Sequence, residues 1–187
     1  MRTSNVGLCH GTHGAPQETL ESLEYATKVS EIEHALKKEF EPPIPEPPIY
    51  PKEILSNLKN TDHFTENALN HIFDGEINRK GEATGFHYEG IEGSSGSVIP
   101  GTRTEPNAKG VYHGNVKVNG VSKRGFSTFF PRAWSPQKIV DSINQAYENR
   151  TFEEGSRNTY TGINSNGVTI TMFINRNGKI ISAFPKE

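Results

Sequence analysis

The stretch VTITMFINRNGKIISAF, residues 168–184, decides the fold of this chain. Its side chains alternate between two sets with the period of a strand: Val168, Ile170, Met172 and Ile174 on one face, Thr169, Thr171 and Phe173 on the other. Asn177-Gly178 then provides the residues that a tight hairpin turn prefers. Because residues 179–184 return as a second strand, we predict an antiparallel hairpin.

Upstream of this hairpin, the sequence predicts further strands and a helix. Residues 111–118 and 124–130 are predicted to be strands, and the Gly- and Ser-rich residues 81–101 favour short strands joined by loops. Ser135-Pro136 offers an N-cap and a first-turn proline. The residues that follow place an apolar stripe on one helix face: Ile139, Val140, Ile143, Ala146 and Tyr147. We therefore predict the α+β class with antiparallel sheets.

The N-terminal part differs in composition. Six prolines within residues 42–51 remove backbone donors and force an extended segment. Before them, apolar residues spaced three and four apart predict an amphipathic helix between Pro16 and Phe40. We assign residues 1–58 to a helical, Pro-rich carrier or linker and residues 59–187 to the main domain. No apolar run approaches the roughly 20 residues of a membrane-spanning helix, so no membrane contact is expected.

Two histidines stand where folding could bring them together. Thr65 is expected to cap a helix that carries His71 near its C-terminal end, and His87 follows in a loop or strand. The negative end of the helix dipole, together with Asp74 and Glu76, stabilises an imidazolium at His71. A histidine pair of this kind can perform acid and base catalysis, although most histidines are ordinary surface or core residues.

Other kinds of site find little support in the sequence. Cys9 is the only cysteine, which excludes a multi-thiolate zinc site. Neither Cys9 with His10 and His13 nor Asp62 with His63 offers three ligands at a recognised spacing, so we expect no metal and no cofactor.

A local excess of positive charge points to a polyanionic partner. Residues 106–140 contain six basic residues and no acidic one, a bias that neutralises phosphates, although a solvated strand face has the same composition. Trp134 and Tyr147 could stack on bases, but their places at a helix start and on an apolar helix face favour the core.

Four motifs occur in order, HIFDGE, GFH, VSKRGFS and GKIISAFPK, and closely resemble those of the bacterial EndoU endoribonuclease toxins. The chain is more distantly similar to the endoribonuclease subunit of coronaviruses. The resemblance covers about residues 65–187 and implies two small antiparallel-sheet subdomains flanked by helices, with the active site in the cleft between them. It also implies that His71, His87 and Lys123 are the catalytic residues.

The same resemblance implies three residues that bind the nucleotide, namely Ser127, Ser182 and Phe184. Ser127 follows the lysine by four residues, as in the viral pattern. At position 184 the family has a tyrosine, and phenylalanine keeps the aromatic face but loses the hydroxyl. We therefore do not predict the strict uridine preference that is typical of the family.

These residues imply RNA cleavage without a metal. His87 would remove the 2′-hydroxyl proton, His71 would protonate the leaving 5′-oxygen, and Lys123 would stabilise the phosphorane, so DNA is not a substrate. The family further implies a toxin delivered into the cytoplasm of competing bacteria, tRNA as the RNA it cuts, and a cognate immunity protein. The alternatives are a non-catalytic RNA-binding module and a protein-interaction domain that docks through its polyproline segment.

Overall fold

The computed structural model describes residues 20–40 and 46–187, with side chains over 22–36 and 46–187. The chain divides into two compact units, Met1–Pro45 and Glu46–Glu187. This division lies nearer the N-terminus than the boundary expected at residue 58. The reason is that the Tyr50 N–H donates to the Gly90 carbonyl at 2.8 Å and Lys52 pairs with Asp74 at 2.9 Å, both within the second unit.

In the first unit, helix α1 spans Leu20–Phe40, which confirms the predicted helix over that range. Leu23, Tyr25 and Ile32 are exposed on it. The expected start at Pro16, the residue group around Cys9 and residues 42–45 of the polyproline segment lie outside the described residues. Of the helices that the structure describes, none is long and apolar enough to cross a membrane.

The second unit combines helices with small antiparallel sheets, which confirms the α+β class. A 3₁₀ helix spans Lys52–Asn57, and two α-helices follow, α2 (Ala68–Phe73) and α3 (Pro136–Glu148). The strands within residues 46–187 form three sheets. These are β1 (Glu76–Ile77) with β2 (Ala83–Thr84), then β3 (Gly96–Val98), β4 (Tyr112–Val118) and β5 (Val121–Phe129), and finally β6 (Thr151–Phe152), β7 (Thr159–Ile163), β8 (Thr169–Ile174) and β9 (Ile180–Pro185).

Helix α3 follows its local sequence signals. The Ser135 hydroxyl accepts a hydrogen bond from the Lys138 N–H at 3.1 Å, and Pro136 occupies the first turn, so both predicted start signals are confirmed. Its apolar face is buried and packs against β7 and β8. The predicted C-terminal hairpin is also confirmed, as β8 and β9 pair with Phe173 opposite Ser182.

Helix α2 differs from the expectation that Thr65 caps it. The helix begins three residues later, with Asn67 at the N-cap and no capping side chain. The Thr65 N–H instead donates to the Ile180 carbonyl at 2.9 Å, which ties this residue to β9. This bond holds the start of α2 against the four-stranded sheet.

Two hydrophobic cores fill the second unit. The larger core joins α2 and α3 to the four-stranded sheet and includes Ile72, Ile143 and Met172. The smaller core lies on the three-stranded sheet and is formed by Ala83, Phe86, Tyr112, Val116, Val118 and Phe129. Residues 85–88 contribute to both cores, since Phe86 belongs to the smaller and Tyr88 to the larger.

Candidate active site

The end of α2 is joined to residues 85–87 by main-chain hydrogen bonds. The last carbonyls of a helix have no partner within the helix. Here the His71 carbonyl accepts from the Phe86 N–H at 2.8 Å, and the Ile72 carbonyl accepts from the His87 N–H at 2.7 Å. The His87 carbonyl in turn accepts from the Phe130 N–H at 2.9 Å. These bonds place His87 beside His71, and the two ring centroids are 6.3 Å apart.

Gly85 is required where the two segments meet. Its φ is +76°, and a Cβ at this position would lie 2.1 Å from the His71 carbonyl oxygen. Phe86 also has a positive φ of 62°, and its buried ring packs edge-on against Phe129 at 5.6 Å. The close approach of the histidines therefore depends on a backbone that a side chain at position 85 would displace.

His71 is paired with one of the two acidic residues expected near it. Its Nδ1 lies 2.9 Å from Glu76 Oε1. Asp74 binds elsewhere, with Ser95 and Lys52. Since a carboxylate only accepts hydrogen bonds, Nδ1 carries a proton and Nε2 is left for proton transfer.

His87 is buried and held in one tautomer. Its Nδ1 lies 2.8 Å from the Thr128 carbonyl oxygen, which only accepts, so Nδ1 must carry the proton. Burial, reinforced by the nearby Lys123 charge, holds the pKa of His87 well below its usual value. The neutral ring therefore keeps a lone pair on Nε2, as a base requires.

Lys123 is fixed beside the histidines from β5. Its ammonium donates to the Gly85 carbonyl at 3.1 Å and to Ser127 Oγ at 2.8 Å. Burial lowers the pKa of Lys123 to about 8. The Ser127 hydroxyl donates to the same Gly85 carbonyl at 3.1 Å. Lys123 therefore remains mostly cationic at neutral pH, and its position is tied to Gly85.

The three groups open into one cavity of about 480 Å³, a size typical of small-ligand sites. We name its two sides by their residues. The histidine wall consists of His71, Thr84, Gly85, His87, Lys123, Phe126 and Thr128. The sheet wall consists of Asn158, Phe173, Ile181, Ser182 and Phe184.

Five of the six expected site residues line this cavity. They are His71, His87, Lys123, Ser182 and Phe184. Ser127 lies behind Lys123 with a fully buried side chain, so its hydroxyl contacts Lys123 and Gly85. The Phe184 ring stacks on His87 with centroids 5.1 Å apart, which supports the imidazole from the sheet wall.

The sequence did not single out several residues of the cavity. Phe173 was placed on one strand face with Thr169 and Thr171, and of these three residues Phe173 lines the cavity. Phe126 follows Lys123 by three residues, but Asn158 and Thr128 had no recognisable motif.

Several other residues lie away from the cavity. Trp134 and Tyr147 pack with the larger core, as expected. His63 stacks on Tyr147 at 4.3 Å. Within the part of the chain that the structure describes, no group of three or more His, Cys, Asp or Glu side chains is arranged to hold a metal ion.

Comparison with known families assigns most of the chain to one family. Residues 65–187, well over half of the chain, match the model of the bacterial EndoU nuclease. The chain therefore belongs to the bacterial EndoU nuclease family. Among individual proteins, a Bacillus cereus protein named "Toxin" is 56% identical over 139 residues, which are 73% of this chain and 25% of that protein.

The Bacillus cereus protein is much longer than this chain. The chain spans only about a quarter of the length of the Bacillus cereus protein. No solved structure matches the chain with significance.

Proposed function

We propose that the chain is an endoribonuclease that cleaves RNA by metal-independent transesterification. A ribose 2′-oxygen attacks the adjacent phosphorus and the bond from phosphorus to the 5′-oxygen breaks, which leaves a 2′,3′-cyclic phosphate and a 5′-hydroxyl. This reaction needs a base, an acid and a cation around one phosphate. The observation that carries the proposal is the meeting of His71, His87 and Lys123 in one cavity.

His87 is the proposed base, which takes the proton from the 2′-hydroxyl. Its bond to the Thr128 carbonyl leaves the lone pair on Nε2, and its burial favours the neutral ring. A base must be unprotonated when substrate binds, so both features support this role.

His71 is the proposed acid, which donates a proton from Nε2 to the departing 5′-oxygen. The Glu76 carboxylate at 2.9 Å orients the ring and offsets the positive charge of an imidazolium. Lys123 is the proposed cation that stabilises the phosphorane. Charge stabilisation of this kind is stronger where water is partly excluded, and Lys123 is half-buried.

RNA is the proposed substrate because the nucleophile is the 2′-hydroxyl, which DNA lacks. Phe184 and Ser182 are proposed to contact the ribose and base. The Ser182 side chain makes no hydrogen bond with the described residues and lines the cavity, which supports a contact with substrate. Ser127 is proposed to act on substrate through Lys123, its hydrogen-bond partner.

We also propose a biological role as an antibacterial toxin. The similar Bacillus cereus protein is named a toxin, and this chain matches only a quarter of it, as a nuclease domain within a longer effector would. On this proposal, the effector is delivered into the cytoplasm of target bacteria and cleaves tRNA there. A cognate immunity protein protects the producing cell, and the residues before Glu46 act as carrier or linker.

The test is cleavage of total RNA in EDTA by the protein and by His87→Ala, with identification of the product ends. A 2′-deoxy substrate serves as the chemical control and His63→Ala as the matched histidine control, because His63 lies away from the cavity. We expect cyclic-phosphate ends, and a loss of at least about 100-fold in His87→Ala, since general base catalysis contributes roughly 10²- to 10⁴-fold.

Two outcomes would contradict the proposal. Undiminished cleavage by His87→Ala would exclude the assigned base. Absence of any cleavage with retained RNA binding would identify a non-catalytic RNA-binding module instead.

A further inference from the structure

Among the described residues that line the cavity, Asn158 is the one with a side-chain amide. It lies in the bend immediately before β7, and its carbonyl accepts from the Ile174 N–H at 3.0 Å, which fixes its backbone to the sheet wall. Its side chain makes no hydrogen bond with any residue that the structure describes. An amide has both a donor and an acceptor, so Asn158 offers two free hydrogen-bonding positions.

The other residues of the cavity are less suited to read the edge of a base. Phe173 and Phe184 have no hydrogen-bonding groups, and Thr84 Oγ1 donates to the Glu76 carbonyl at 3.4 Å. The buried Ser127 hydroxyl is occupied by Lys123 and Gly85. Each remaining hydroxyl group provides a single hydrogen-bonding atom, which matches one position on a base but not two adjacent positions.

The sheet wall extends from the histidines towards Asn158. The rings follow one another from His87 to Phe184 at 5.1 Å and from Phe184 to Phe173 at 5.9 Å. Across the strands, Ser182 pairs with Phe173 and Phe173 pairs with Thr159, the neighbour of Asn158. Two strand spacings separate the ends of this row, roughly 10 Å. A nucleoside with a single-ring base fits along such a row.

We propose that Asn158 determines base specificity by hydrogen-bonding the Watson–Crick edge of a pyrimidine in the nucleotide whose 2′-hydroxyl is attacked. This inference rests on the proposed endoribonuclease function. With the phosphate at the histidines and the ribose over Phe184, the base lies over Phe173 and its edge meets the amide. A purine extends one ring further and meets Asn158 in a poorer position.

The test uses four otherwise deoxy oligonucleotides that each contain one ribonucleotide, rU, rC, rA or rG, so that cleavage is possible at one position only. Values of kcat/KM are compared for the protein, Asn158→Leu, Asn158→Asp and Asn166→Leu. Asn166 is the matched control, because it is an exposed asparagine outside the cavity. Thermal unfolding checks that each variant folds.

We expect the protein to favour pyrimidines by about tenfold or more, as a two-point contact with a base edge allows. Asn158→Leu should bring all four rates within about threefold of one another, while Asn166→Leu keeps the original ratios. Asn158→Asp should raise the ratio of cytidine to uridine cleavage, because a carboxylate accepts from the cytosine amino group and repels uracil O4.

The outcomes separate this inference from the proposed function. Cleavage with no pyrimidine preference, or with a preference that survives in Asn158→Leu, overturns the role of Asn158 and leaves the endoribonuclease function standing. Absence of cleavage of all four chimeras and of an all-ribose strand overturns both.

Discussion

The two walls of the cavity are built in different ways. In the histidine wall, main-chain hydrogen bonds join the end of α2 to residues 85–87, and a glycine is required at the junction. In the sheet wall, β8 and β9 form an antiparallel ladder with a register shift between Phe173 and Ile174, and the side chains of Phe173, Ser182 and Phe184 line the cavity. The histidine wall is positioned by backbone hydrogen bonds, whereas the sheet wall is formed by side chains that can be exchanged.

This difference determines which substitutions the site tolerates. The main-chain pairing of a sheet accepts most side chains on an open face. The side chains of the sheet wall that contact a ligand can therefore change while the fold stays the same. Phe184, where the resemblance to the family implies a tyrosine, is such a difference. The histidine wall has no comparable freedom, because a displacement of about 1 Å at reacting groups costs about 100-fold in rate.

The largest effect is expected from Gly85→Ala. The new Cβ would meet the His71 carbonyl and would occupy a strained φ, so the histidine wall must shift. We expect kcat/KM for RNA cleavage to fall by at least about 100-fold, together with a lower melting temperature. The matched control is Gly93→Ala, since Gly93 has a positive φ of 66° but open space around its Cβ position.

The control separates backbone strain from the steric clash. If Gly93→Ala lost as much activity as Gly85→Ala, or if Gly85→Ala stayed active, the close approach to His71 would not be what positions the site.

The second prediction concerns pH and Lys123. Its pKa is lowered by burial to about 8, so the cation is lost as the pH rises through 8, and the cleavage rate should fall above that value. Because burial and the Lys123 charge depress the pKa of His87, the base should stay unprotonated well below pH 6.5. Lys123→Arg should cut more slowly, by about tenfold, but without the decline that deprotonation of Lys123 causes. The check is kcat/KM against pH for both proteins.

If the decline in rate near pH 8 persisted unchanged in Lys123→Arg, it would have to arise from the titration of another group. In that case Lys123 would not be the cation whose charge limits the reaction.

The sequence predicted those elements of the fold whose signals lie within a few residues of one another. The α3 helix and the β8–β9 hairpin follow from Ser135-Pro136 and Asn177-Gly178, whose preferences act within a few residues. Strand β7 was not predicted, because it contains Gly162 and its apolar and polar residues alternate weakly. The bonds from α2 to residues 85–87 had no sequence signature, since hydrogen bonds between distant main-chain groups leave no periodic pattern.

The candidate site shows the same limit. His71, His87 and Lys123 were identified by motif resemblance, and spacing alone would not have selected them. The fully buried position of Ser127 was not predictable either, because the side on which a short strand faces its neighbours depends on long-range packing.

Ser127→Ala should have a smaller effect than the changes above. Its hydroxyl accepts a hydrogen bond from Lys123, which favours the charged ammonium, so its removal should lower the pKa of Lys123 further. We expect the alkaline decline in rate to move to lower pH and the rate at pH 7 to fall several-fold, because a smaller fraction of Lys123 then carries its charge. Base preference should stay unchanged, because Ser127 does not line the cavity. A variant that altered base preference and left the pH profile in place would show direct contact with the nucleotide.

The smallest effect is expected from Phe184→Tyr on the sheet wall. The new hydroxyl restores the group that the family has at this position, and the backbone ladder of β9 needs no adjustment to accept it. With the four chimeric substrates, uridine cleavage should rise about two- to tenfold relative to the other bases, the contribution of a single hydrogen bond. Phe184→Leu provides the contrast, because it removes the ring that stacks on His87 and should slow all four substrates alike. If Phe184→Tyr instead slowed every substrate alike and left the base preference unchanged, position 184 would support His87 without contacting the base, and base recognition would have to reside elsewhere in the cavity.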